Sequence, residues 1–250
     1  MCVDVFESLA GAYEALIDWP KRLANEEPFY RALFQEVGAK NVLDVACGTG
    51  RHVGMFHSWG LRATGTDASP AMIAHCRQQH GESHSLRWAV RSFEEPPESA
   101  DPFDVVICVG NSLALAPDLQ SVSRAIGAML SALRPGGACV LHVLNLWHLP
   151  DGPCVWQKCK RVRREDSEYL LMKGVHRVGA RGFVDVIAVD LSREPPAPVF
   201  EATPFLGLDR EFLAYAARER RATDVRCYGD YHQGPYQREQ SVDLILMARK

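Results

Sequence analysis

No apolar run in the chain is long enough to span a bilayer, and no basic-then-apolar leader follows Met1. The expectation is a soluble, cytoplasmic protein with no membrane partner. Charge of neither sign dominates, since 28 Lys and Arg stand against 31 Asp and Glu for a net charge of −3, so nothing global attracts nucleic acid. Repeats and low-complexity tracts are missing too. No catalytic triad stands out, but a reaction driven by positioning alone needs none. Eight cysteines are present without the marks of a disulfide framework. Cys47, Cys76, Cys108 and Cys139 fall in predicted core elements, where free cysteine behaves as a small hydrophobe. Cys154 and Cys159, near His148, match no common zinc spacing, so no metal is expected. The basic run Lys158, Lys160, Arg161, Arg163 and Arg164 lies beside Glu165, Asp166 and Glu168 and reads as a solvated, partly self-neutralised loop.

What is present begins at Asn41. Val42, Leu43, Val45 and Ala46 read as a strand buried on both faces, running into Cys47-Gly48-Thr49-Gly50 and then a helix. Gly48 and Gly50 let the backbone approach a ligand closely. A second strand, Arg62 to Thr66, ends in Asp67, seventeen residues past Gly50, where a carboxylate can accept both ribose hydroxyls of an adenosine. These two motifs indicate an adenosine cofactor without saying which. A dinucleotide fingerprint needs a third glycine where this chain has Val53, and Gly54 comes one residue late, which weakens an NAD-dependent oxidoreductase. A catalytically silent adenosine-cofactor-binding module is the non-enzymatic rival, and the intact Gly48, Gly50 and Asp67 argue against it.

Leu43 to Gly50, followed by Gly65-Thr66-Asp67-Ala68-Ser69, resembles motifs I and II of the class I S-adenosylmethionine-dependent methyltransferases. Phe103 to Ser112 is similar to their fourth strand, and Leu133-Arg134-Pro135-Gly136-Gly137 to the turn before their fifth. The resemblance implies a Rossmann-like, doubly wound α/β sheet, mostly parallel with an antiparallel last strand. It also implies S-adenosylmethionine as cofactor, S-adenosylhomocysteine as product, and a small-molecule methyl acceptor attacked by in-line displacement.

Helices and strands alternate through the first 145 residues, with helices expected from Asn25 or Glu26 to Val37, after Ser69-Pro70 to Gly81, and after the Asp118 cap. Beyond Asn145 a strand pair, Tyr169 to Arg177 and Phe183 to Leu191, precedes a Pro195-Pro196 and Pro198 linker. A helix from Asp209 to about Arg221 and strands Val225 to Tyr228 and Asp243 to Ala248 close the chain. The expectation is one methyltransferase domain over 1–250, with an N-terminal helical cover (1–40), a cofactor-binding core (41–145), a β-rich lid or substrate insertion (146–200) and a C-terminal part (201–250).

Carried over position by position, the resemblance puts the cofactor against Ala46, Cys47, Gly48 and Gly50, its ribose on Asp67 and Ala68, and its adenine near Met72, Ser92 and Phe93. Val109 lines the cleft, and Tyr13, Trp19 and Arg22 resemble an N-terminal segment folded over the cofactor. Cys108 to Ser112, Tyr228-Gly229-Asp230-Tyr231 and Asp243 to Lys250 resemble the glycine/sarcosine N-methyltransferase group. That likeness makes Gly110 and Asn111 substrate residues. Leu144 stands where the glycine enzymes carry an arginine for the substrate carboxylate, so an amine on a different small molecule is expected. Asn145, Tyr228, Tyr231 and Tyr236 are further substrate candidates, and Asn111, His148, His232 and Tyr231 the catalytic ones, because imidazole titrates near working pH and tyrosine brings a hydroxyl to an apolar wall. His142 is expected to be structural, with a hydrogen-bonded ring.

Overall fold

The computed structural model describes residues 16–97, 101–164, 167–192 and 194–250. Tyr13, Glu165 and Asp166 lie outside them. In chain order the elements are α1 (Trp19–Val37), β1 (Asn41–Asp44), α2 (Arg51–Ser58), β2 (Arg62–Asp67), α3 (Pro70–His80), β3 (Leu86–Val90), β4 (Phe103–Cys108), α4 (Leu119–Ala132), β5 (Leu133–Leu144), β6 (Val155–Arg164), β7 (Ser167–Val178), β8 (Arg181–Asp190), β9 (Ala197–Leu206), α5 (Arg210–Glu219), β10 (Val225–Tyr228) and β11 (Asp243–Arg249). The described residues fall into two compact units, 16–22 with 146–207 and 23–145 with 208–250.

The larger unit is built on a seven-stranded sheet in the order β10-β11-β5-β4-β1-β2-β3. β1 to β5 pair in parallel, whereas β11 runs antiparallel to β5 and β10 to β11. This is the doubly wound sheet with an antiparallel end that the motifs imply. Val105, Val106, Ile107 and Cys108 of β4 are fully buried, as a parallel strand covered on both faces must be. Cys47, Cys76, Cys108 and Cys139 are all buried and free. The caps match their sequence signals: the Ser69 side chain accepts the Met72 N–H, and that of Asp118 accepts the Ser121 N–H.

The smaller unit carries a four-stranded antiparallel sheet, β6-β7-β8-β9. One face packs Leu16, Leu171, Val186 and Ala188 into a core of its own. No helix among the described residues is long and apolar enough to cross a membrane.

Four local expectations need correction. The basic run lies on β6, an edge strand rather than a loop. The exposed Lys158, Lys160, Arg161 and Arg163 suit an edge because they discourage pairing with another chain, and Arg161 lies 3.5 Å from Glu168 on the neighbouring strand. The Pro198 segment is strand as well: β9 is the other edge, where a residue with no N–H to donate is tolerated. Helix α1 starts at Trp19, and Asp18 accepts the Lys21 N–H, so Asp18-Trp19-Pro20 is the true start signal. Leu133 to Gly137 belongs to β5 with a register shift against β4, and is not a separate turn.

Candidate active site

The carboxyl ends of the parallel strands gather the motif residues of the larger unit at one edge of the sheet, the place where open α/β folds bind ligands. After β1 the chain turns sharply. Val45 N–H donates to Ile107 O, Cys47 N–H to Thr66 O, and Gly50 N–H to Cys47 O. Gly48 and Gly50 both take positive φ, +52° and +78°. Their surroundings differ. A Cβ on Gly48 would meet nothing within 4 Å, so the turn is open there, whereas one on Gly50 would meet the Trp88 ring at 2.7 Å.

Trp88 is the floor of the turn. Its ring also approaches Gly65, where a Cβ would stand 2.5 Å from it, so Gly50 and Gly65 are glycines because an indole lies between them. Cys76 Sγ donates to Gly48 O at 3.1 Å, and His80 Nε2 bonds Thr49 O at 3.0 Å. The late glycine of the motif, Gly54, leaves space for that His80 ring, and Val53 is buried in the core. The neighbouring Cys76 thiol, and after it burial, push the Cys47 thiol well above its ordinary range, so it is a neutral packing group.

Asp67 ends β2 half-buried. Its Oδ2 accepts the Gly48 N–H and its Oδ1 the Ser69 N–H, both at 2.9 Å. A carboxylate has about four acceptor positions, so capacity for two hydroxyls remains. The free space over Gly48 and this spare capacity fit a ribose and the chain attached to it. Ala46 is half-exposed beside Gly48, with its N–H on Asp44 Oδ1. Ala68 is exposed, and Met72, Ser92 and Phe93 are half-buried. Ser92 Oγ accepts the Glu94 N–H, which fixes the bend after β3.

At the end of β4, Val109 is buried and accepts the Ser112 hydroxyl, while Gly110 and Asn111 take φ of +76° and +72°. Asn111 N–H donates to His142 O, and its Oδ1 accepts the Leu144 N–H at 2.9 Å. The amide therefore joins the ends of β4 and β5, leaving its NH2 group. The His142 ring accepts the Gly110 N–H and lies 3.1 Å from Asp243, the structural employment expected of it.

Asn145 is fully buried. Its NH2 donates to Arg238 O and Ser241 O, and its Oδ1 accepts the Tyr236 hydroxyl, so both residues tie the 236–241 loop to β5. Tyr231 is buried among Phe29, Tyr30 and His142, and Tyr228 packs edge-on to Phe29. His232 is exposed. Trp19, Arg22 and His148 belong to the smaller unit, where the Arg22 guanidinium lies 5.1 Å from the Trp19 ring.

Sequence reasoning missed the Glu26–His52 pair, joined at 2.6 Å and buried, and the role of Trp88. A glycine on β2 facing a tryptophan on the adjacent β3, with a turn glycine against the same ring, is the arrangement that sequence alone did not display. It also missed the company of Cys154, whose neighbours are His176 and Asp185 rather than Cys159 and His148.

A family described as "Methyltransferase domain" matches residues 42–137. The chain is 27% identical to human glycine N-methyltransferase over 219 residues, 79% of this chain and 71% of that one. It is 27% identical to the dTDP-4-amino-2,3,4,6-tetradeoxy-D-glucose N,N-dimethyltransferase of Saccharopolyspora spinosa, over 59% of this chain and 55% of that one. Of several other curated relatives the chain likewise spans a little over half the length. Among solved structures, SAM-bound CalS10, an amino pentose methyltransferase from Micromonospora echinaspora, superposes with a TM-score of 0.73 at 20% identity, covering 100% of this chain and 98% of that one.

Proposed function

We infer that this chain, a class I S-adenosylmethionine-dependent methyltransferase, delivers its methyl group to an amine nitrogen of a small molecule, an amino sugar in preference to free glycine. The observation that carries the choice of acceptor is Leu144. It ends β5 half-buried, its N–H held by Asn111, and it brings an apolar side chain where the glycine enzymes, on the resemblance above, use an arginine for a carboxylate. An acceptor without a carboxylate suits that wall. The sugar N-methyltransferase among the relatives supports the same reading.

When bound, S-adenosylmethionine supplies a methyl group on a sulfonium sulfur. The remaining work belongs to the chain. The backbone of Ala46 and Gly48 receives the methionine end, Asp67 holds the ribose hydroxyls, and Met72 with Ser92-Phe93 borders the adenine. Gly110 and the free NH2 of Asn111 orient the acceptor. Holding the amine near contact distance and in line supplies ~7–11 kcal/mol of the barrier reduction, so no strong base is required. The test is relative kcat/KM over a panel of nucleotide-linked amino sugars, glycine and sarcosine. An amino sugar should lead, and glycine at a comparable rate would overturn the assignment.

A further inference from the structure

Three side chains within the smaller unit converge on one another. Cys154 lies just before β6, His176 on β7 and Asp185 on β8, and their ligand atoms all fall within 4.8 Å of one another. His176 Nδ1 is 2.5 Å and Cys154 Sγ 3.4 Å from the same carboxylate oxygen, Asp185 Oδ2.

The register explains the convergence. Gly174 pairs with Asp185 and His176 with Phe183, so these four share one face of the β7–β8 pair. Leu171, Val175, Val186 and Ala188, at odd positions on β7 and even on β8, take the other, apolar face. Gly174 is the vacancy that admits the thiol, since a Cβ there would collide with Cys154 Sγ. The His176 ring is held flat against Phe183, with centroids 4.7 Å apart and planes 10° from parallel. Its orientation is fixed before any ligand arrives.

The second observation is on Asp185 itself. Its side chain is only 5% exposed, yet Oδ1 has no hydrogen-bond partner. A buried carboxylate oxygen left unmatched is costly, and a cation is one of the few things that repays it. A nucleophilic triad does not fit, because histidine would then stand between thiol and carboxylate, whereas here thiol and imidazole meet the same oxygen.

We propose that Cys154, His176 and Asp185 form a binding site for a divalent transition ion, with Zn²⁺ as the ion its donors suit. One thiolate, one imidazole and one carboxylate form a borderline-soft S, N, O set, and three protein ligands leave a fourth tetrahedral position open. Ligand atoms around tetrahedral zinc stand roughly 3.3–3.6 Å apart. Opening the His176–Asp185 contact by about 1 Å therefore admits the ion. Bound, it joins the segment before β6 to β7 and β8.

The test uses the untagged full chain, with Co²⁺ and Zn²⁺ as probes. Co²⁺ titration should saturate at one ion per chain with a thiolate-to-cobalt charge-transfer band, and Zn²⁺ should displace it and raise Tm with concentration, as a ligand of the folded state does. Cys154→Ala should abolish the band and Asp185→Asn should weaken binding at least about tenfold, while Cys159→Ala keeps both. If Cys154→Ala fails to fold, His176→Ala takes its place. A wild-type chain that takes up neither ion, or a band that persists in Cys154→Ala or is lost in Cys159→Ala, overturns the assignment.

Discussion

The Asp67 carboxylate accepts the backbone N–H of Gly48 at 2.9 Å, so the residue that ends β2 also shapes the turn that follows β1. One side chain both forms the cradle and faces the ligand. Replacing it with alanine removes two tasks at once, so Asp67→Asn is the cleaner variant. Loss of charge-assisted bonds worth ~1.5–3 kcal/mol should lower affinity for S-adenosylhomocysteine roughly 10- to 150-fold in calorimetric titration. Unchanged affinity would mean that the ribose is held elsewhere.

Gly48→Ala and Gly50→Ala should differ in their cost to stability. Both impose a left-handed conformation on a residue with a Cβ, costing about 1–2 kcal/mol. Only Gly50→Ala also drives that Cβ into Trp88, adding about 1–3 kcal/mol of overpacking. Urea unfolding of the two variants checks the order. Equal destabilisation would remove Trp88 as the floor of the turn.

Acid should weaken the larger unit through Asp104. Burial pushes this carboxyl up, but the opposing bonds from the Arg134 guanidinium and the Lys40 and Asn41 N–H groups prevail and leave it below its ordinary value. A carboxylate depressed on folding contributes stability that is complete above its unfolded pKa of about 3.9 and is lost as pH falls through the folded value. Stability measured from pH 5 downward should decline over that window, and Asp104→Asn should flatten part of the slope. An identical slope in the variant would assign acid sensitivity to other groups.

Much of this was legible because the deciding signals are local. The turn glycines, Asp67 at the end of β2 and the Ser69 and Asp118 caps follow from residues near one another in sequence, whereas the antiparallel end came from the family resemblance. The failures arose where tertiary context decides. Nothing local marks Lys158 to Arg164 as an edge strand, since its pairing partner is supplied by β7. Nor does anything local show that Tyr236 donates to Asn145 across 91 positions. Cys154, His176 and Asp185 follow no metal-ligand spacing because two strand registers, not one motif, bring them together.

Asn111→Asp separates acceptor from cofactor. It keeps an oxygen for the Leu144 N–H and a residue type that tolerates positive φ, but removes the NH2 donor. We expect kcat/KM for the acceptor to fall about tenfold with affinity for S-adenosylhomocysteine unchanged, as when a positioning contact is lost. A parallel loss of cofactor affinity would move Asn111 into the cofactor site.

The most direct test of the central claim is mass spectrometry and NMR of the product formed from S-adenosylmethionine carrying a ¹³C-methyl group and a nucleotide-linked amino sugar. The label should appear on the amine nitrogen in wild type and fall sharply in Asp67→Asn. Label on a hydroxyl oxygen, or none transferred to any amine by a chain that binds S-adenosylhomocysteine, would contradict it.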